Sequence, residues 1–218
     1  MSTHLALDHL VVAARTLDEG VQWCEATLGL TPIAGGTHPL MGTHNRVFAI
    51  GSKAWPRAYF EIIAIDPSAA PPGRARWFGL DMLDLRQGPR LVHWVARVAG
   101  LDAALAALGA AGCDAGRALA ASRDTPAGRL EWRIAVRDDG ALLAGGAWPT
   151  LIEWGAVHPG DAMPPSGVTL RGLAWRGVPA AWSATLALDG IAPQALGAGP
   201  SITAELDTPR GPVTLCSH

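Results

Sequence analysis

The sequence is short of lysine: Lys53 is the only one among 17 basic residues, the rest being arginine. No stretch concentrates positive charge, and the formal net charge is −2. Phosphate backbones are bound by clustered lysine and arginine, which argues against a nucleic-acid partner. In so alanine-rich a chain, arginine in place of lysine reads as a GC-rich genome rather than as function. Cysteine is scarce and odd in number. Cys24, Cys113 and Cys216 lack metal-like spacing, which points to reduced, mostly buried thiols in a cytoplasmic protein. No apolar run approaches the ~20 residues that span a bilayer. The opening residues, MSTHLALDHLVV, carry no cationic segment and pass straight into a strand pattern, so no secretory leader is expected. With 218 residues, 49% of them hydrophobic and 17% charged, the chain can bury a core and is too apolar to be disordered.

What is present in quantity is repetition. The segment Leu91–Leu108, LVHWVARVAGLDAALAAL, reads as strand, turn and helix, with His93 in the strand and Leu101-Asp102 following. The start of the chain, LDHLVVAARTLDEGV, has His9 in the same slot and Leu17-Asp18 at the same offsets. A strand–helix unit carrying one histidine is used twice.

In the first unit, Leu5, Leu7, His9 and Val11 are expected to share one face of a strand over 5–13. Leu17, Val21, Cys24 and Leu28 form one stripe of a helix over 17–28, stopped by Gly29. A weak strand signal at 30–34 precedes a polar, glycine-rich loop, GGTHPLMGTHN, at 35–45. Strands follow at 46–50 and 57–65, the latter carrying Tyr59, Glu61, Ile63 and Ile65 on one face. Residues 67–90 form a linker with a helical turn near 75–82, and its length exceeds that of ordinary connections. The second unit has a strand from Leu91, a helix with Leu101, Leu105 and Leu108, a hairpin of 116–122 with 129–136, and the strand TLIEW at 150–154. After a second linker at 156–167 come a strand at 169–176, a helix from Pro179 through Leu186, and the segment 201–215. The turn at Asp207–Gly211 repeats the one at Asp124–Gly128, while Gly172 stands in the histidine slot.

The expected fold is therefore α+β. Repeated βαβββ modules at 4–66 and 91–157, joined by the linker at 67–90, pair as one domain. They form a curled mixed sheet around a shared cavity, with helices outside. A truncated third module at 168–217 packs against them and gives the site no ligand, neither Glu205 nor His218.

Four polar residues stand in apolar strands: His9, Glu61, His93 and Glu153. A buried unpaired carboxylate is costly, so strands such as YFEII and TLIEW need an explanation. Two imidazole nitrogens and two carboxylate oxygens suit a divalent transition metal with open positions for water or a chelating substrate. The structural alternative has each histidine bonded to a backbone carbonyl and each glutamate on a solvated sheet face. Alternation turns Trp94 and Trp154 away from the cavity, toward the helices. In the loop, His38, His44 and Asn45 are candidates to touch a ligand at the cavity mouth. The alternative is a turn in which Thr43 and Asn45 satisfy their own backbone.

This arrangement resembles the vicinal oxygen chelate superfamily, which includes glyoxalase I, extradiol dioxygenases and antibiotic-resistance proteins. It is similar to bacterial glyoxalase I, whose metal ligands run His, Glu, His, Glu in the first and last strands of two modules. The resemblance implies that His9, Glu61, His93 and Glu153 hold one nickel, zinc, cobalt or iron ion. It also implies that a ligand glutamate, Glu61 or Glu153, is the catalytic base. A narrower resemblance, to the glyoxalase-like domain group, rests on Gly35-Gly36-Thr37-His38, on Gly42-Thr43-His44-Asn45 and on the strand ending IEW. It implies the fold and leaves the activity open. The chain departs from glyoxalase I in length, and Arg15, Arg46 and Arg123 form no defined cluster for the carboxylates of glutathione. Arg123 joins His38, His44 and Asn45 as an expected substrate contact.

Three readings stay open at this level. One is a metal-dependent lyase, isomerase or dioxygenase acting on a small oxygen-rich substrate. The second is a metal-free protein that sequesters a small molecule, and the third is a structural or regulatory module. The expected partner is a small molecule, with no nucleic acid and no membrane; a homodimer is compatible with each reading.

Overall fold

Two consecutive units share one element order in the structure, a computed structural model that describes residues 3–125, 128–188, 192–193 and 201–217. The first is β1 (Thr3–Ala13), α1 (Leu17–Leu28), β2 (Ile33–His38), β3 (Thr43–Ala49) and β4 (Tyr59–Ile65). The second is β5 (Arg90–Val98), α2 (Leu101–Ala110), β6 (Arg117–Thr125), β7 (Gly128–Val136) and β8 (Thr150–Trp154). All eight strands join one mixed sheet in the order β2-β3-β4-β1-β5-β8-β7-β6. The first strand of each unit lies parallel to its last, and β1 and β5 pair antiparallel at the centre. The order is thus a palindrome, the result of using one βαβββ unit twice. The sheet curls until its edges approach: a Cβ added to Gly36 of β2 would collide with the Arg123 guanidinium of β6.

Apolar side chains divide between the two faces, as strand alternation requires. Leu10, Val12, Phe60, Ile62, Trp94 and Trp148 pack with Cys24 and Leu28 of α1 and Leu101 and Leu108 of α2. Val11, Ala13, Ile63, Val95, Ile134 and Ile152 line the concave side. The helices begin differently. Thr16 caps α1 by accepting from the Glu19 N–H, and Gly29 ends it at φ 78°. At the start of α2 stands Gly100, which has no side chain to offer.

Two expectations about the first unit need correction, while the helical turn expected in the linker is present. Residues 35–45 are not a loop; β2 and β3 make a hairpin that turns only at 39–42. Glycines 35 and 36 weaken the strand signal, but they are what let Asn45 and Arg123 come close. Leu5 and Leu7 do not share a face with His9 and Val11. The register with β5 shifts between Leu7 and His9, so Asp8 is an extra, bulged residue. Leu5 and Leu7 pack under the helices, Val11 on the concave side. The linker turn is a short 3-10 turn at Trp77–Gly79. It brings Trp77, Phe78 and Leu80 into the concave cluster. Phe78 adopts φ 58°, a backbone conformation bulky residues avoid, with its ring stacked on Trp77.

The third segment contains β9 (Thr169–Arg176), α3 (Ala180–Ser183), β10 (Leu186–Leu188), β11 (Ala192–Pro193), β12 (Ser201–Thr208) and β13 (Gly211–Cys216). The helix is shorter than expected because 186–188 leave it to pair parallel with β1. The other four strands form a second sheet, β11-β9-β12-β13. Its Leu170, Leu173, Trp175, Ile202 and Leu206 join the cluster under the helices. Glu205 is exposed on this sheet beside Gly172; His218 lies outside the described residues. No helix among the described residues is long and apolar enough to cross a membrane. Cys24 and Cys113 are buried and Cys216 is exposed. Burial pushes the first two thiols up to about 12 and about 11.

Candidate active site

The bulge at Asp8 places two polar residues of β1 side by side in an apolar strand. Asp8 is fully buried. Its carboxylate accepts from His9 Nδ1 at 2.7 Å, from His158 Nε2 at 2.9 Å and from Trp154 Nε1 at 3.0 Å. Arg97 Nη1 lies 3.5 Å away. Burial alone would raise this carboxyl; the bonds from His158 and His9 outweigh it and hold the group well below the usual carboxylate range. His158 also accepts the Gly160 N–H through Nδ1 at 3.0 Å, so its Nε2 carries the hydrogen.

His9 stacks on Tyr59 with ring centroids 4.5 Å apart and points Nε2 at Glu61 Oε2, 3.4 Å away. Burial opposes its charge, yet the hydrogen bond to Asp8 and the negative charges of Glu61 and Asp8 raise it to about 9, so His9 is an imidazolium between two carboxylates. Glu61 comes from β4 opposite Val11 of β1 and Val47 of β3. Its Oε1 accepts from Asn45 Nδ2. The Asn45 amide is held in turn by the Gly36 N–H, which donates to Oδ1 at 2.7 Å. A Cβ on Gly35 would collide with that oxygen. The Gly-Gly of β2 thus serves to seat Asn45, and Asn45 aims Glu61. Burial works against the Glu61 charge, but His9 and Asn45 keep its carboxyl low and ionised. The 3.4 Å approach to His9 is not a formed hydrogen bond, and Glu61 Oε2 is buried without a donor.

Around these groups lie His38, Arg123, Trp77, Phe78, Trp132 and Trp154, with Pro159 and Met163 from the second linker. The void between them is about 30 Å³, room for one or two waters. His38 is tied to Thr43 Oγ1 at 3.1 Å and lies edge-on to Trp77. Burial pushes it down to about 4, so it is neutral. Arg123 buries Nε and Nη1 without an acceptor.

The structure brings together only part of the expected constellation. His9 and Glu61 meet; His38, Asn45 and Arg123 line the same cavity. His44 alternates with Asn45 on β3 and falls on the other face. His93 does not reach His9. Its Nδ1 donates to Gly146 O at 2.9 Å and its Nε2 accepts the Thr150 N–H at 3.0 Å, so both nitrogens stitch β5 to the backbone around β8. Burial drives it down to about 3. Glu153 points away from the cavity, and Trp154 points into it, the reverse of the expected phase. Glu153 accepts the backbone N–H groups of Gly100 at 2.6 Å and Leu101 at 3.3 Å and pairs with Arg133 at 3.3 Å. It caps α2 in place of the side chain that Gly100 lacks.

This donor set does not fit the divalent ion that the resemblance implies. His93 has no free nitrogen and Glu153 is on the wrong face. Among the described residues no group of three or more His, Cys, Asp or Glu could hold a metal. His9 and Glu61 alone fall short of the three protein ligands usual at catalytic zinc.

Sequence reasoning missed Asp8, His158, Trp77 and Phe78. The first left a signal, because adjacent Asp and His in an otherwise apolar strand require a bulge if both are to find partners. The others sit in irregular segments without one.

The model of the glyoxalase-like domain matches residues 7–188, most of the chain and all of this site. The chain belongs to the glyoxalase-like domain family. With it the chain enters the vicinal oxygen chelate superfamily. No curated protein matches the chain. Among solved structures, a hypothetical protein from Staphylococcus aureus is similar at 14% identity and a TM-score of 0.56, over 79% of this chain and 70% of that one. The methylmalonyl-CoA epimerase of Mycobacterium tuberculosis is 21% identical with a TM-score of 0.38, over 68% of this chain and 85% of its own. That of Streptomyces coelicolor, in complex with 2-nitronate-propionyl-CoA, is 18% identical with a TM-score of 0.45, over 72% and 99%. The Staphylococcus structure shows that this glyoxalase-like chain shares its fold.

Proposed function

We propose that this glyoxalase-like cavity is the active site of an isomerase or lyase that moves a proton on a small carbonyl compound, with Glu61 as the base. The observation that supports this reading is Glu61 Oε2, a buried, ionised carboxylate oxygen that no donor satisfies. Such an atom is costly unless a ligand uses it. In the proposed step, Oε2 takes a proton from carbon next to the carbonyl. The electron pair of the C–H bond passes onto the carbonyl oxygen, and the His9 imidazolium stabilises the negative charge that develops there. Returning the proton to the same carbon completes an epimerisation; on a 2-hydroxy carbonyl compound, returning it to the former carbonyl carbon, while the hydroxyl proton passes to the neighbouring oxygen, completes an isomerisation. Asn45 fixes the angle of Glu61, and Asp8 keeps His9 protonated and oriented.

Proton exchange tests it. Panels of 2-oxo acids, 2-hydroxy ketones and hemithioacetals are incubated in D2O with the protein, with and without EDTA, and followed by proton NMR. The wild type should exchange the hydrogen next to the carbonyl in at least one class, equally with chelator. Glu61→Gln should slow the exchange by roughly 100-fold or more while keeping its circular dichroism. A Glu61→Gln protein that retains the rate would remove Glu61 from the role. The aromatic walls and the small void support a second reading, sequestration of a flat ligand. Binding by the wild type without exchange of any compound would establish it instead.

A further inference from the structure

The cavity holds a second mismatch, opposite in kind to that of Glu61. Arg123 reaches into it from β6 and lies against the backbone of Gly36. Its Nε and Nη1 are buried without an acceptor. Trp77, from the first linker, lines the same space and buries its indole N–H without an acceptor as well. The other arginines with a buried unpartnered Nε and a nearby acid differ: Arg74 faces Asp138 and Arg76 binds Asp81. No carboxylate stands within ion-pair distance of Arg123 among the described residues, since its neighbour Asp124 pairs with Arg129. Arg123 is half-buried, and its two N–H groups withdrawn from water without an acceptor are costly and are matched by a ligand that only accepts hydrogen bonds.

We infer that Arg123, assisted by Trp77, binds the carboxylate of the substrate. A carboxylate has two acceptor oxygens and no donor, and it matches the planar fork of arginine. Its two oxygens take the place of the one or two waters that the void of about 30 Å³ admits between the rings of Trp77, Phe78, Trp132 and Trp154. Phosphate, tetrahedral and more heavily charged, suits that space less well. The inference rests on the reading of the cavity as a substrate site and names the substrate class: a small carboxylic acid with its reactive carbon turned toward Glu61. Gly36 belongs to the device, because any side chain there would displace the guanidinium.

The test is binding by calorimetry, separate from turnover. The probes are pyruvate, lactate and benzoate, the corresponding neutral amides, and inorganic phosphate. At least one carboxylate should bind the wild type while its amide does not. Arg123→Met should weaken that carboxylate by about 10- to 100-fold, and Arg123→Lys, which keeps the charge but not the fork, by less. Glu153→Ala, a change outside the cavity, should bind it as well as the wild type. The inference falls if amides bind equally, if phosphate binds in preference, if no carboxylate binds, or if Arg123→Met binds unchanged. Carboxylate binding lost only in the Arg123 variants, with no proton exchange in the wild type, would uphold this inference while defeating the proposed proton transfer.

Discussion

His9 carries a heavy electrostatic load for a buried residue. It is buried, which disfavours its charge, and it stands between Asp8 and Glu61, which favours it more. The outcome is a pKa raised from 6.5 to about 9. A group whose folded pKa is raised binds its proton on folding. Its contribution to stability is therefore complete below the unfolded value near 6.5 and is lost as pH rises through about 9. Histidine ring resonances followed by NMR should show His9 titrating near 9, and Asp8→Asn should bring it down. His93, neutral and stitched to backbone, should not titrate above pH 4. A wild-type His9 titrating at or below 6.5 would contradict the description of the site. Two histidines in one repeat slot thus have opposite protonation, because one has carboxylates for neighbours and the other has peptide groups.

At the scale of elements, β8 and α2 are joined by Glu153. Strand β8 ends the second unit as β4 ends the first, but its glutamate is one step out of phase with the cavity. Ile152 and Trp154 face inward instead. The carboxylate satisfies the N-terminal N–H groups of α2 that Gly100 cannot, and its charge is favourable at that end of the helix dipole. Replacing Glu153 with alanine should cost about 0.5–2 kcal/mol of stability, as the loss of a cap does, read as a lower urea midpoint. Proton exchange by the folded variant should stay at the wild-type rate; loss of exchange at full stability would return Glu153 to the active site. The element pattern of both units was legible from periodicity, from Gly29 and from the hairpin turns. The phase of β8 was not, because five residues with apolar neighbours on both sides fit either face. The bulge at Asp8 erased the alternation that placed Leu5 and Leu7 with His9.

For the whole molecule, the second sheet matters through packing. Leu173 and Trp175 belong to the same continuous cluster as Leu5, Trp94 and the helices, and β10 extends the first sheet beside β1. A shared core predicts shared unfolding. Leu173→Ala should cost about 2–5 kcal/mol and shift a single transition seen alike by near-UV and far-UV circular dichroism. Two transitions, with only the later one unmoved, would show that the sheets unfold separately.

The sequence by itself determined the duplicated βαβββ unit, the curled mixed sheet and the helices outside, and it named His9 and Glu61 only among four equal candidates. These follow from patterns that repeat within the chain and from strand positions that topology brings together. Only the tertiary structure decided which polar residues share the cavity. Gly35 and Gly36, weak strand formers taken alone, admit Asn45 and Arg123. The first linker supplies Trp77 and Phe78, and the second supplies His158. His93 and Glu153, equal to His9 and Glu61 in the sequence pattern, are claimed instead by backbone groups that a fold must satisfy somewhere. Period and spacing say which strand a side chain belongs to. Bulges, orphaned N–H groups and close contacts between segments far apart in the chain decide what that side chain meets.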